Sequence, residues 1–290
     1  MFEKIMAPLD GSESAEVVLP HVEYLAELFG SEIDLVGVCE ERGGMDRLLS
    51  VYLDKLASQI AVRGNVVHPI ILYGQPAPEI VDYGEKNNIS LIVMASHGRS
   101  GDTRWNMGSV VDKTSKASIA PLLLIKSKVP DERIKNNTVV SKILVPLDGS
   151  TLGEAALPYV TALALQAKAE VVLLNVISPT LPLTATESFY SDYSTEIINA
   201  QQKEVQGYLQ NIVNKLNSEG IQASFKVEVG STSEKILETA DRERIDLIGM
   251  STHGRTGISR WFYGSVAGRI LNNAAAPVLL VRAPEMKVSS

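Results

Sequence analysis

The sequence predicts an α/β chain of two similar five-stranded, doubly wound parallel sheets. Three observations carry that prediction. KIMAPLDGS at 4–12 returns as KILVPLDGS at 142–150. Short Val/Ile/Leu runs recur that are continuous rather than alternating, as strands buried on both faces require. Between them lie stretches with apolar residues three and four apart, the spacing of a helix with one buried face.

The repeat spans most of the chain. The first motif returns at an offset of 138, which also aligns Leu19-Pro20 with Leu157-Pro158. From Gly74 and Gly230 onward the offset is 156, and it holds for Ala120-Pro121 against Ala276-Pro277. The second copy therefore carries 18 extra residues, inserted between its second and third strands. The polar, aperiodic stretch SKVPDERIKNNTVVS joins the copies. The expected organisation is one domain over 1–127, a linker over 128–140 and a second domain over 141–290.

In the first copy Lys4–Leu9 reads as a buried strand. Val18, Leu19, Val22, Leu25, Leu28 and Phe29 mark the buried face of the next helix. Pro20, like Pro158, falls inside that pattern, so the helix is either kinked there or starts late. Ile33–Cys39 is the second strand, 45–62 a helix, Val66–Tyr73 the third strand and Pro76–Lys86 a helix with proline in its first turn. Leu91–Ala95 is the fourth strand. A glycine-rich loop, a helix near Ser109–Lys116 and a last strand at Pro121–Lys126 complete the copy; Pro277–Arg282 closes the second.

Composition narrows the function. The chain has 290 residues, a formal charge of −7 and 45% hydrophobic residues. A surface of that sign repels nucleic acid and anionic membranes as a whole, so any phosphate site must be local. No apolar run approaches the ~18 residues of a membrane span, and the N-terminus lacks the pattern of a signal peptide. A cytoplasmic location is expected. Cys39 is the single cysteine, read as a reduced, half-buried thiol. The four histidines show no metal-type spacing. No carboxylate pair or nucleophile–base set has a catalytic spacing, so neither catalytic nor metal-ligating residues are assigned.

In open parallel sheets ligands bind beyond the carboxyl ends of the strands. Two segments of each copy end there: PLDGS after the first strand and, after the fourth, MASHGRSGDTRWNMGS at 94–109 or MSTHGRTGISRWFYGS at 250–265. Gly98 and Gly101, with Gly254 and Gly257, would let the backbone take φ > 0 and approach a ligand closely. Gly108-Ser109 and Gly264-Ser265 open a helix whose first N–H groups and dipole favour an anion. The serine hydroxyl either meets a phosphate or caps its own helix. Arg99 and Arg104, with Arg255 and Arg260, add local cations, while Asp10 and Asp148 are acceptors for a ribose hydroxyl or a base amino group. Each also has a structural reading. The aspartates can form a turn or cap, His97 and His253 can hold the loop, and Trp105 and Trp261 can anchor it by packing.

PLDGS and the twice-written His-Gly-Arg…Gly-Ser-Val loop resemble those of the universal stress proteins, and the resemblance covers both halves apart from the linker and insertion. It implies strand order 3-2-1-4-5, adenine-nucleotide binding and dimerisation through the last strands, so that the halves pair as a pseudo-dimer within one chain. The nucleotide-binding pattern (Gly, two residues, Gly, nine residues, Gly, then Ser or Thr) falls here on Ala95, Gly98, Gly108 and Ser109, and on Ser251, Gly254, Gly264 and Ser265. Both copies lack its first glycine. By the same resemblance Asp10 and Asp148 bind near adenine or ribose. Val38, Val176, Met94 and Met250 line the adenine pocket, and Val110 and Val266 follow the phosphate-binding serine.

The expected function is a stress-response sensor or regulator that binds ATP or another adenine nucleotide in one or both halves. A triphosphate ordinarily brings Mg²⁺, which stays an optional companion. The alternative is a protein-interaction module with relic loops. A regulatory protein partner and a homodimer of whole chains are compatible with either.

Overall fold

The computed structural model describes residues 1–98, 107–127, 139–178, 190–252 and 264–283, with backbone alone for 190–198. Ten strands form one continuous sheet: β1 (Lys4–Pro8), β2 (Glu32–Cys39), β3 (Val67–Tyr73), β4 (Leu91–Ala95), β5 (Leu122–Ile125), β6 (Lys142–Pro146), β7 (Glu170–Ile177), β8 (Ala223–Val229), β9 (Leu247–Ser251) and β10 (Val278–Val281). Their spatial order is β3-β2-β1-β4-β5-β10-β9-β6-β7-β8. Each half thus has the order 3-2-1-4-5 and is parallel throughout.

The halves are fused rather than stacked as two sheets. β5 and β10 pair antiparallel, with Leu123 opposite Leu279 at the centre. This joins two short leucine-rich strands that are buried along their whole length. The fusion turns two sheet edges into interior ladder and leaves β3 and β8 as the outer edges. Pro69 stands in β3, in keeping with the confinement of proline to edge strands.

Helices cover both faces. On one lie Glu13–Glu16, Leu19–Phe29, Gly44–Ala61, Leu157–Ala167 and Tyr190–Ser218, preceded in the second half by a 3-10 turn at Gly153–Ala156. On the other lie Pro76–Lys86, Ser109–Ala117, Thr232–Arg242 and Ser265–Asn273. The prolines that sequence left open mark late starts. Pro20 and Pro158 sit in the first turn of Leu19–Phe29 and Leu157–Ala167, where a missing N–H costs nothing.

Much of the insertion extends one helix: Tyr190–Ser218 has 29 residues against 18 in Gly44–Ala61. Residues 179–189 lie outside the described chain. Among the described residues no helix is long and apolar enough to cross a membrane.

The halves differ inside as well. Asp34 of β2 is fully buried, pairs with Lys4 at 3.0 Å and accepts from Tyr83 Oη at 2.9 Å. Its counterpart at the 138 offset is Val172, packed in apolar surroundings.

Candidate functional site

The PLDGS segments have one geometry written twice. Gly11 (φ 80°) and Gly149 (φ 81°) turn the chain through a left-handed conformation that glycine adopts without strain. Asp10 Oδ1 accepts from the Ser12 backbone N–H at 3.0 Å and hydroxyl at 2.6 Å, and Ser12 Oγ accepts from Ala15 N–H at 3.2 Å, capping the next helix. Asp148 and Ser150 repeat this at 3.0 and 2.6 Å, and Ser150 Oγ accepts from Gly153 N–H at 3.0 Å. The turn reading of both aspartates is therefore realised through one carboxylate oxygen each.

The other oxygen of Asp10 meets the second motif. A Cβ placed on Gly98 would stand 2.2 Å from Asp10 Oδ2. Gly98 does not take the positive φ expected of it; glycine is required there because a carboxylate occupies the space.

The loop after β4 is closed at its base by hydrogen bonds. Gly108 N–H donates to Ser96 O at 2.9 Å. Ser127 Oγ accepts from His97 N–H at 3.1 Å and donates to His97 O at 3.0 Å, while Ser127 N–H donates to Ser96 Oγ at 3.1 Å. His97 Nδ1 lies 3.0 Å from Ser96 Oγ, so this ring holds the loop entrance. The second half repeats the closure: Gly264 N–H donates to Thr252 O at 3.0 Å and Ala283 N–H to Thr252 Oγ1 at 3.3 Å. Gly108 and Gly264 take the cap positions with no side-chain cap bond. Ser109 and Ser265 stand one residue further in, exposed at the helix mouths, and neither caps its helix.

Other expected residues fall on the strand ends. Val38 and Val176 are half-buried at the ends of β2 and β7. Met94 and Met250 are 5% exposed and pack in the core on the face of helices Ser109–Ala117 and Ser265–Asn273, with Val110 and Val266 half-buried against them. Ala95 and Ser251, at the missing first glycine, are the last residues of β4 and β9 and are also buried. Arg99, Arg104, Trp105, His253, Gly254, Arg255, Arg260 and Trp261, with Gly101 and Gly257, lie outside the described residues.

Beside Asp10 opens a pocket of about 750 Å³ between the ends of β1 and β2 and the helix Gly44–Ala61, within the ~300–1,000 Å³ of small-molecule sites. Val38, Cys39, Tyr52 and Pro76 form its walls, and Glu40, Glu41 and Arg42 its rim. Cys39 is buried rather than half-buried. Arg42 stacks over the Tyr73 ring at 5.0 Å. Asp10, Glu40 and Glu41 outnumber the single arginine, so the pocket suits hydroxyl and amino donors better than phosphate. The helix mouth at Ser109 is the anion-compatible end.

Sequence reasoning missed Tyr52. Its hydroxyl donates to Glu16 Oε1 at 2.9 Å, and Tyr208 does the same to Glu154 at 2.8 Å. Burial first, then Glu16, then the charge of Asp10 hold the Tyr52 phenol well above its ordinary pKa, so it stays a neutral donor. The signal lay in the repeat: Tyr52 maps onto Tyr208 at offset 156, and Glu16 onto Glu154 at offset 138. Among the described residues no group of three or more His, Cys, Asp or Glu could hold a metal ion.

A model of the universal stress protein family matches residues 1–126 and again residues 140–282. The chain belongs to the universal stress protein family. Universal stress protein MJ0531 of Methanocaldococcus jannaschii is 33% identical over 167 residues, 57% of this chain and 95% of the relative. Universal stress protein Rv2005c of Mycobacterium tuberculosis is 22% identical over 247 residues, 85% of this chain and 74% of the relative. The crystal structure of a universal stress protein from Archaeoglobus fulgidus superposes with a TM-score of 0.75 at 20% identity, covering 97% of this chain and 99% of that one. That likeness extends the family fold across both halves.

Proposed function

We propose that this universal stress protein is a cytoplasmic sensor or regulator that binds ATP or another adenine nucleotide in one or both halves. The observation that carries the reading is the convergence of Asp10, Gly98 and Gly108. The acceptor for a ribose or base lines a pocket of adequate volume, and Gly108, bonded back to Ser96 beyond the end of β4, caps a helix whose first residue, Ser109, is exposed. The residues present fit the two ends of a nucleotide: carboxylate and apolar wall at one, backbone N–H groups and the exposed Ser109 at the other. Mg²⁺ would enter as the companion of a polyphosphate, bound mainly through the phosphates.

Calorimetric titration with ATP and with AMP tests this; micromolar affinity, about −8 kcal/mol, is the expected scale. No heat from either nucleotide at ~1 mM would defeat the proposal. Ser265→Ala and Gly254→Val should weaken the second site.

One observation favours an interaction module instead. Met45, Leu48 and Val51 lie along the helix Gly44–Ala61 and are 60–68% exposed. Their counterparts at the 156 offset, Gln201, Glu204 and Gly207, are equally outward but not apolar. On that reading a regulatory partner or a second chain docks at the first half, and gently denatured protein releases no adenylate to mass spectrometry.

A further inference from the structure

We propose that Asn272, in the second half, is a positioning residue for the helix mouth of the first half, so that the first site needs both halves of the chain. The inference rests on the reading of that mouth as the phosphate end of a nucleotide site. The Met107 backbone N–H donates to Asn272 Oδ1 at 3.2 Å, across 165 residues of sequence. Met107 immediately precedes Gly108 and Ser109, the cap and first residue of the helix Ser109–Ala117.

Asn272 is itself held. Its Nδ2 donates to Gly268 O, one turn back in its own helix, at 2.8 Å, which leaves Oδ1 to accept from across the junction. The two amides leading into the mouth are thus fixed from different sides. Gly108 N–H is tied to Ser96 O in its own half, and Met107 N–H to the opposite half.

The other end of the same helix is also held from the second half. Arg282 Nη1 donates to Ala117 O at 3.1 Å, placing a cation at the helix C-terminus, where the dipole favours it. The helix Ser109–Ala117 is therefore clamped at both ends by side chains that the first half does not supply.

The residue that clamps is not the same in the two copies. The counterpart of Asn272 is Lys116, whose ammonium bonds Asp112 of its own helix at 2.7 Å. A phosphate gripped by backbone N–H groups needs them held to within about 0.5 Å, and a hydrogen bond to the peptide just before them does that. The helix carrying Asn272 also begins at the second mouth, Ser265, so one nine-residue element touches both candidate sites.

The test uses the full chain, first without nucleotide. Hydrogen exchange resolved at the Met107 amide should quicken about tenfold in Asn272→Leu, which removes the acceptor, and stay within about twofold of the parent in Asn272→Asp, which keeps one. If the leucine variant does not fold, Asn272→Ala is read in the same way. In an AMP titration, Asn272→Leu should weaken the first site about tenfold. Asn272→Asp should weaken it in a salt-dependent manner, because it adds a negative charge beside the mouth. Parent-like exchange in a folded Asn272→Leu chain overturns the proposal, as does equal quickening in the leucine and aspartate variants. A parent chain that binds no adenylate defeats the nucleotide reading instead, and the exchange pattern then still decides whether the second half positions the mouth.

Discussion

The carboxylate of Asp10 lies so close to Gly98 that a single added methyl group would stand 2.2 Å from its Oδ2. The first-strand turn and the loop after the fourth strand are therefore one unit. Gly98→Ala must shift the Asp10 carboxylate, whose other oxygen holds Ser12, at a cost of about 1–3 kcal/mol. Asp10→Ala empties the same space, so the double variant should be less destabilised than the sum of the two single ones. A double-mutant cycle of urea melts measures this; strict additivity would show that the two residues do not meet.

The two helix mouths should respond differently to one methyl group. A Cβ on Gly108 would come 3.2 Å from Ser96 O, a backbone atom that cannot step aside, whereas on Gly264 it would stand at an ordinary 3.8 Å from Thr252 O. Gly108→Ala is expected to lose about 1 kcal/mol more than Gly264→Ala in paired denaturation curves.

Tyr52 and Tyr208 donate to matched glutamates at 2.9 and 2.8 Å. Tyr52→Phe and Tyr208→Phe should each cost about 1–2 kcal/mol by thermal or urea unfolding. Tyr52→Ala, which removes the ring from the pocket wall beside Asp10, should also reduce adenylate affinity.

His21 sets an acid sensitivity. It is buried at the junction beside Tyr24, Leu163, Asp246 and Leu279, and burial lowers its pKa from 6.5 to about 4. Between those values the unfolded chain binds a proton that the folded chain refuses. Stability therefore falls as pH drops through 6.5 and levels off near 4, a loss of about 3 kcal/mol from this residue alone. His21→Phe should be less sensitive to acid over that interval, read as the difference between the two pH–stability curves; identical curves would mean the imidazole is not buried neutral.

Much of this molecule was legible without coordinates because its signals are local. Strand and helix periods and the turns at Asp10-Gly11 and Asp148-Gly149 each depend on residues within a few positions of one another, although the helix cap falls to Ser12 rather than to Asp10. Other features were ambiguous locally. Pro20 in a first turn and Pro20 in a helix interior give the same apolar spacing. A glycine needed for space, such as Gly98, cannot be told from one needed for its backbone angle. The Tyr52–Glu16 pair was hidden because its members repeat at different offsets on either side of an insertion.

By itself the sequence determined that the chain is a duplication, that each copy is a wound parallel α/β unit, and where its main chain reversals lie. The tertiary structure decided which residues meet across long separations: Leu123 with Leu279 to fuse the sheet, Asp10 with Gly98 to join two motifs, Asn272 with Met107 to tie one half to the mouth of the other. The division follows from the forces involved. Backbone preference and apolar period act along the chain and leave a local trace, whereas packing and cross-chain hydrogen bonds depend on partners that only the folded sheet brings within reach.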